Sequence, residues 1–316
     1  MTYIALGMAA IGRPHYINIK TIDSPKDLTK AELHAHATAV LDAAYAMGIR
    51  HIDTAPGYGI AEEILIDWLR RSGHEDMTVS TKWGYTYTAN FEKNPLQHEV
   101  KEHSLHVLQQ QWLYSRQLLP PLNMYQIHSA TSDSGVLNNQ GVLDKLFELK
   151  EQFGIEIGLT TSGLTQNATI QQALKITNQG KPLFTIFQVT YNVFEQSIAD
   201  SVALLKNQGA RIIIKEGLAN GRIFTCADFP QYAPAYALLE RLAGKYHVGV
   251  DAVALRFCID ALRPLYVLSG AATIVQLKEN LLAETFTLQS EELEELKSIH
   301  VASEAYWNER KQLKWN

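Results

Sequence analysis

Residues 50–82 read RHIDTAPGYGIAEEILIDWLRRSGHEDMTVSTK, and the hydrophobic period changes twice within that stretch. Arg50–Asp53 and Met77–Lys82 are short and apolar on both alternations, as expected of strands buried on both faces of a parallel sheet. Between them Ala61–Arg71 carries a helical pattern, so the stretch forms one strand–helix–strand unit. The same alternation continues in both directions. An apolar first strand lies within Met1–Ile11, and further strands are expected at Met124–His128, Gly154–Leu159, Leu183–Val189, Arg211–Lys215 and Leu265–Leu268. Helical patterns fall at Lys30–Met47, Glu99–Gln117, Gln166–Ile176, Gln196–Lys206 and Thr273–Ala283. Roughly eight β/α units fit a closed (β/α)8 TIM barrel better than an open sheet.

Several boundaries have their own chemistry. Pro120-Pro121 ends the preceding helix, because proline lacks the N–H and its ring clashes with the helical path. Asp133, Ser134 and Gly135, then Asn138, Asn139 and Gly141, mark a loop after the fourth strand. Asp251 is expected to cap a helix running to Ala261, which Arg263-Pro264 stops. No linker rich in Pro, Gly or Ser and no short repeat interrupts the chain, so residues 1–316 are expected to form a single domain. The tail from Gln289 to Asn316 reads as a C-terminal helical extension with Trp307 and Trp315, packed across the barrel or lining one mouth.

Composition narrows the function. The 316 residues are 46% hydrophobic and 19% charged, a soluble globular mix, with a formal net charge of -5. Lys and Arg are dispersed, so no basic field would attract nucleic acid or an anionic membrane. Cys226 and Cys258 read as packed, reduced thiols, since two isolated cysteines make neither a disulfide framework nor a zinc site. The N-terminus lacks a basic n-region, and Arg13-Pro14 interrupts its apolar run. No apolar stretch approaches the ~20 residues needed to span a bilayer. A cytoplasmic location is expected.

In a parallel barrel the chemistry sits at the C-terminal strand ends. Asp53 ends His51-Ile52-Asp53, Tyr58 lies in the glycine-flanked loop Pro56-Gly57-Tyr58-Gly59, Lys82 ends Ser80-Thr81-Lys82, and His128 ends Gln126-Ile127-His128. A phenol with pKa near ~10 holds its proton at neutral pH. An adjacent ammonium would lower that value, and a buried lysine needs a carboxylate such as Asp53 to stay charged. A neutral histidine can hold a carbonyl oxygen. The set has no nucleophile–base pair and no clustered metal ligands. It needs an external reductant, which a nicotinamide cofactor supplies. Taken singly, each residue reads more simply as a cap, a packed ring or a satisfied loop histidine; only the set of four argues for catalysis.

The stretch His51-Ile52-Asp53-Thr54-Ala55-Pro56-Gly57-Tyr58-Gly59-Ile60-Ala61-Glu62 resembles the signature of the aldo-keto reductase family. Ser80-Thr81-Lys82 resembles the family's third strand end, and Gln126-Ile127-His128-Ser129 its fourth. The resemblance runs on through Ile157–Ser162, Phe187–Asn192 and Ser269–Leu281, covering most of the chain. It implies a catalytic tetrad of Asp53, Tyr58, Lys82 and His128. It also implies a cofactor wall that begins at Ser129, Thr160, Ser162 and Gln188, with Gln188 on the nicotinamide carboxamide. That wall continues over Lys215, Gly217 and Leu218 and ends on Gly270, Ala271, Thr273, Gln276, Glu279 and Asn280. There the N–H groups opening a helix would face phosphate, and Glu279 and Asn280 would contact the adenine.

This chain departs from the family pattern in three places. Thr160-Thr161 replaces a Ser-Asn pair, with Ser162 as a substitute hydrogen-bonding group. Lys215 stands where many members stack an aromatic ring on nicotinamide. Gly270, Ala271 and Gln276 lie where basic residues often hold a 2′-phosphate. The resemblance implies NADPH as cofactor, with NADH as the alternative. The expected activity is reduction of an aldehyde or ketone with Tyr58 as general acid, on a monomer acting on a small carbonyl substrate. The alternatives are a sugar or alcohol dehydrogenase and a nucleotide-binding regulatory barrel. Trp83, Tyr85 and Tyr87 are expected either to line a substrate pocket or to fill the barrel rim, and specificity is expected from the loops Thr86–Lys93, Ala130–Asn139 and Leu218–Tyr236 and from the tail near Trp307.

Overall fold

A computed structural model describes residues 3–15, 19, 28–92 and 95–315. Of the expected segment ends, Met1, Lys93 and Asn316 lie outside the described residues. Eight strands form the barrel: β1 (Ile4–Gly7), β2 (His51–Asp53), β3 (Thr78–Trp83), β4 (Leu122–Ile127), β5 (Glu156–Thr160), β6 (Phe184–Thr190), β7 (Arg211–Lys215) and β8 (Tyr266–Ser269). They follow one another around the barrel in chain order, and β1 closes onto β8. Every barrel pairing is parallel. Parallel neighbours cannot be joined by tight turns, so each connection carries crossover structure outside the sheet.

The alternation along the strands sets up the site. Outward residues such as Ile52, Val79, Tyr125, Ile157 and Phe187 are buried in the main apolar core with the helices. Of the opposite set, Met124, Ile186 and Ile213 form a separate small cluster backed by Tyr266 and Leu268. Asp53, Lys82, Gln126 and Gln188 share that inward parity near the C-terminal strand ends, and all are almost fully buried. The barrel is thus apolar at the bottom of its interior and polar at the top.

Two expectations about helices need correction. Glu99–Gln117 is not one helix. Glu99–Lys101 pairs antiparallel with Tyr85–Tyr87, and the helix runs only over Leu105–Ser115. Ser104 sets that start, because its hydroxyl accepts the Val107 N–H at 3.2 Å and caps the first turn. Asp251 is not a cap either. The helix Val250–Leu262 begins after Gly249, and the Asp251 carboxylate instead accepts the Asn280 amide at 2.6 Å. Two helices lie outside the expected set, Gln140–Phe153 and Ala233–Tyr246, and the second takes up the end of the expected loop Leu218–Tyr236. Tyr191 and Phe194 lie in the core, and both cysteines are free thiols. Among the described residues no helix is long and apolar enough to cross a membrane.

Candidate active site

Asp53 and Lys82 meet inside the barrel. Lys82 Nζ donates to Asp53 Oδ2 at 2.5 Å and to the Thr54 carbonyl at 3.0 Å, and the lysine is wholly buried. The ammonium lies 4.8 Å from the centroid of the Tyr58 ring. The Tyr58 and His128 rings stand edge to face at 5.5 Å and 87°. The loop bearing Tyr58 is held by Tyr58 N donating to Ala55 O at 3.0 Å. Gly59 follows at φ +67°, and a Cβ there would lie 2.4 Å from the Gly12 carbonyl. Glycine is required at that close approach.

The Asp53 carboxylate has two more donors. Ser80 Oγ donates to Oδ1 at 2.7 Å and Gln188 Nε2 donates to the same oxygen at 3.0 Å. Because the Ser80 proton is committed to Asp53, its oxygen accepts from His51 Nε2, 3.0 Å away. That fixes the imidazole tautomer. His51 Nδ1 faces Thr78 Oγ1 at 2.9 Å, and the ring stacks on Tyr266 at 4.2 Å. The result is a buried donor chain from His51 through Ser80 to the carboxylate, while the Thr78 hydroxyl donates to the Arg50 carbonyl at 2.9 Å. His51 and Ser80 are site residues that the sequence reading passed over, although they alternate in period two with Asp53 and Lys82.

Burial dominates the titration of this centre. It pushes the Tyr58 phenol well above its ordinary value, and the Asp53 charge adds to the shift. The expected lowering by a neighbouring cation does not prevail, because burial and the Asp53 charge outweigh it. Burial also pushes His128 well below the ordinary imidazole value, with Lys82 adding to the effect. At neutral pH the pair is therefore a protonated phenol beside a neutral imidazole.

Glu62, in the signature stretch, is buried and accepts hydrogen bonds from Thr81 at 2.5 Å and Ser115 at 2.9 Å. Burial raises its pKa to about 7, against those hydrogen bonds. A carboxyl whose folded pKa lies above its unfolded value contributes stability at low pH and loses it as pH rises through the folded value. Urea unfolding should therefore show stability falling between about pH 5 and 8, by on the order of 3 kcal/mol. Glu62→Gln should flatten that slope. An unchanged slope in the variant would assign it to other groups.

A cavity of about 630 Å³ opens over the centre. Asp53, Tyr58 and His128 line one end, and Gln276, Glu279 and Asn280 the other. Ser129, Ser162, Gln188, Lys215, Gly217 and Leu218 lie along its wall, as do Gly270 and Ala271. Lys82, Thr160 and Thr273 stand behind it. Thr160 Oγ1 accepts the Ser129 N–H at 2.7 Å, and Thr273 caps the helix Ile274–Leu281 through Gln276 N. Lys215 Nζ donates to Ser162 at 3.0 Å and Thr190 at 2.6 Å, and burial lowers its pKa. Burial pulls its neighbour Glu216 upward, but Lys215 and Arg310 outweigh it and hold that carboxyl at about 2.

The tail closes the mouth, settling which of its two expected positions it takes. Trp307, Arg310 and Trp315 line the cavity. The Arg13 guanidinium lies 4.7 Å from the Trp315 ring and 5.5 Å from the Tyr58 ring, and its Nη1 pairs with Glu99 at 2.8 Å. His98 stacks on Trp315 at 4.2 Å. Arg13, Glu99 and Arg310 were not singled out from sequence, because no local pattern marks a side chain that reaches the mouth from another loop. A continuous polar-and-apolar cavity, running from the buried centre to a capped helix start, has the size class and lining of a cofactor pocket. A nicotinamide dinucleotide fits the chemistry of its donors.

The barrel thus gathers Asp53, Tyr58, Lys82 and His128 at or near its C-terminal strand ends. The model of the Aldo/keto reductase family matches residues 4–301, and the chain belongs to that family. It is 24% identical over 291 residues to the aldo-keto reductase str7 of Strobilurus tenacellus, covering 84% of this chain and 81% of that protein. Its fold matches the aldo-keto reductase AKR11C1 from Bacillus halodurans at a TM-score of 0.69 and 19% identity, covering 94% and 91% of the two chains. It also matches the glycerol dehydrogenase AKR11B4 from Gluconobacter oxydans at 0.70 and 21%, covering 94% and 90%. The protein is an NAD(P)H-dependent oxidoreductase of this family.

Proposed function

We propose that the protein reduces an aldehyde or ketone to an alcohol, with Tyr58 as the proton donor. The observation that carries this reading is the edge-to-face meeting of Tyr58 and His128 in the cavity wall, with the Lys82 ammonium, paired to Asp53, 4.8 Å from the Tyr58 ring centroid. A reduced nicotinamide nucleotide held in the cavity would supply the hydride. Neutral His128 orients the carbonyl oxygen, and Tyr58 gives its hydroxyl proton to that oxygen as it becomes an alkoxide. Asp53 keeps Lys82 charged and in place, and the ammonium stabilises the phenolate left behind. Alcohol dehydrogenation uses the same groups in reverse; a structural relative carries the name glycerol dehydrogenase. The test follows reduced-nucleotide absorbance against aldehydes, ketones and sugars. Carbonyl-dependent oxidation supports the reading, whereas nucleotide binding with turnover of no carbonyl and no alcohol would favour a regulatory barrel.

NADPH is the nucleotide this reading assigns, following the family resemblance. One observation favours NADH as a second reading. The lining from the β8 loop and the following helix includes Glu279, with buried Asp251 beside it, and no Lys or Arg among the described residues. Gln276 is occupied in accepting the Ala272 N–H at 2.8 Å. Among the described residues, a 2′-phosphate there would face acid with no Lys or Arg from the β8 loop and its helix to compensate it. Gln276→Arg should shift the ratio of kcat/KM values towards NADPH by roughly tenfold. An unmoved ratio would remove position 276 from nucleotide choice.

A further inference from the structure

We infer that the carbonyl substrate carries an anionic group, a carboxylate or a phosphate ester, held by the Lys101 ammonium at the cavity mouth. This rests on the reading that Tyr58 and His128 hold the reacting carbonyl. Most charges near that end are already compensated. Lys82 pairs with Asp53 at 2.5 Å, Arg13 with Glu99 at 2.8 Å, and Arg310 with Glu216 at 3.1 Å, while Lys215 shares Glu216 at 3.9 Å. One carboxylate thus serves two cations. Lys101 and Lys311 also line the cavity, and neither makes an ion pair with a carboxylate of the described residues. The exposed Asp133 acts on Lys101 only at longer range. Of the other acids of the wall, Asp251 accepts the Asn280 amide and Glu279 lies on the helix that follows β8. Among the described residues the mouth therefore keeps a surplus of positive charge, in a chain whose net charge is -5.

Lys101 is placed to use that surplus. It lies opposite Tyr85 in the antiparallel pair of Tyr85–Tyr87 with Glu99–Lys101, and the Tyr85 ring is 4.6 Å from the His128 ring. Its Nζ donates to Thr131 Oγ1 at 2.8 Å, three residues beyond His128. Both anchors are thus near neighbours of the imidazole that would hold the carbonyl. An ammonium has three donors, and Thr131 takes one. Trp307 Nε1, buried in the same wall, has no acceptor among the described residues and supplies a neutral donor for a second oxygen. A carbonyl compound with an anionic group a few bonds from its reacting carbon satisfies both.

The test compares kcat/KM for 4-carboxybenzaldehyde with benzaldehyde, and for glyceraldehyde 3-phosphate with glyceraldehyde, in wild type, Lys101→Met and Lys101→Arg. In wild type the anionic member of at least one pair should be preferred by roughly tenfold or more. The preference should weaken with added salt, fall towards unity in Lys101→Met and return in Lys101→Arg. The pair that responds identifies carboxylate or phosphate. Equal use of charged and neutral members by wild type overturns the inference while leaving carbonyl reduction standing, as does a preference that survives Lys101→Met. If neither pair is turned over, the reductase reading is in question, and binding decides the inference. Tryptophan fluorescence would then compare 4-(hydroxymethyl)benzoate with benzyl alcohol in the nucleotide complex. Tighter binding of the benzoate, lost in Lys101→Met, supports an anion site; equal binding overturns it.

Discussion

Tyr58→Phe should lower kcat by about 10²- to 10⁴-fold, the range a positioned general acid contributes, and leave nucleotide affinity nearly unchanged. The substitution removes one hydroxyl from a ring whose packing against His128 and Lys82 would persist. Tyr85, on the loop hairpin, also lines the cavity with its ring 4.6 Å from His128, so Tyr85→Phe run beside Tyr58→Phe separates the two phenols. Because burial raises the Tyr58 phenol and depresses His128, reduction by wild type should hold across neutral pH and decline only on the alkaline side. The measurement is steady-state oxidation of the reduced nucleotide with a good aldehyde, beside a fluorescence titration of the nucleotide. Equal turnover in variant and wild type would remove Tyr58 from proton transfer. A variant that loses nucleotide affinity in parallel would instead give the hydroxyl a part in binding.

The barrel was legible because its signal is local. Each strand is short and apolar on both alternations, and most are followed by a segment of helical period. The two sequence-derived helix boundaries that failed did so where tertiary pairing overrode the pattern. Glu99–Lys101 continues the helical spacing of the segment after it, but Tyr85–Tyr87 offers it a strand partner. Asp251 looked like a cap, and its carboxylate is drawn to Asn280 across the barrel top instead. The four central residues were readable because each sits at or just beyond a strand end in the same register. The residues around them were less readable for the same physical reason. Arg13, Glu99, Arg310 and Trp315 come from four separate segments and meet only once the barrel is closed. The direction of the Tyr58 shift also escaped, since it depends on a balance of burial against compensated charge that no sequence pattern records.

Lys82→Met should destabilise the protein by about 3–5 kcal/mol, the cost of leaving one member of a buried ion pair without its partner. Asp53 is 2% exposed and Lys82 is fully buried, so water cannot replace the lost ammonium. Methionine fills similar volume, so most of the loss is electrostatic and little comes from a cavity. The effect should lie towards the lower end of the range, because Ser80 and Gln188 still donate to the carboxylate. Asp53→Asn alone should cost a comparable amount by stranding the ammonium. The double variant Asp53→Asn/Lys82→Met removes both charges and should recover most of the stability, since a buried pair exchanged for neutral groups is often near neutral in energy. Its activity should not recover, because the phenolate of Tyr58 would still lack a cation. Urea unfolding of the three variants reads the first effect, and kcat of the double variant reads the second. A double variant as unstable as Lys82→Met would mean that side-chain shape, and not charge pairing, holds this centre. A stable double variant with full activity would show that Tyr58 transfers its proton without help from the pair.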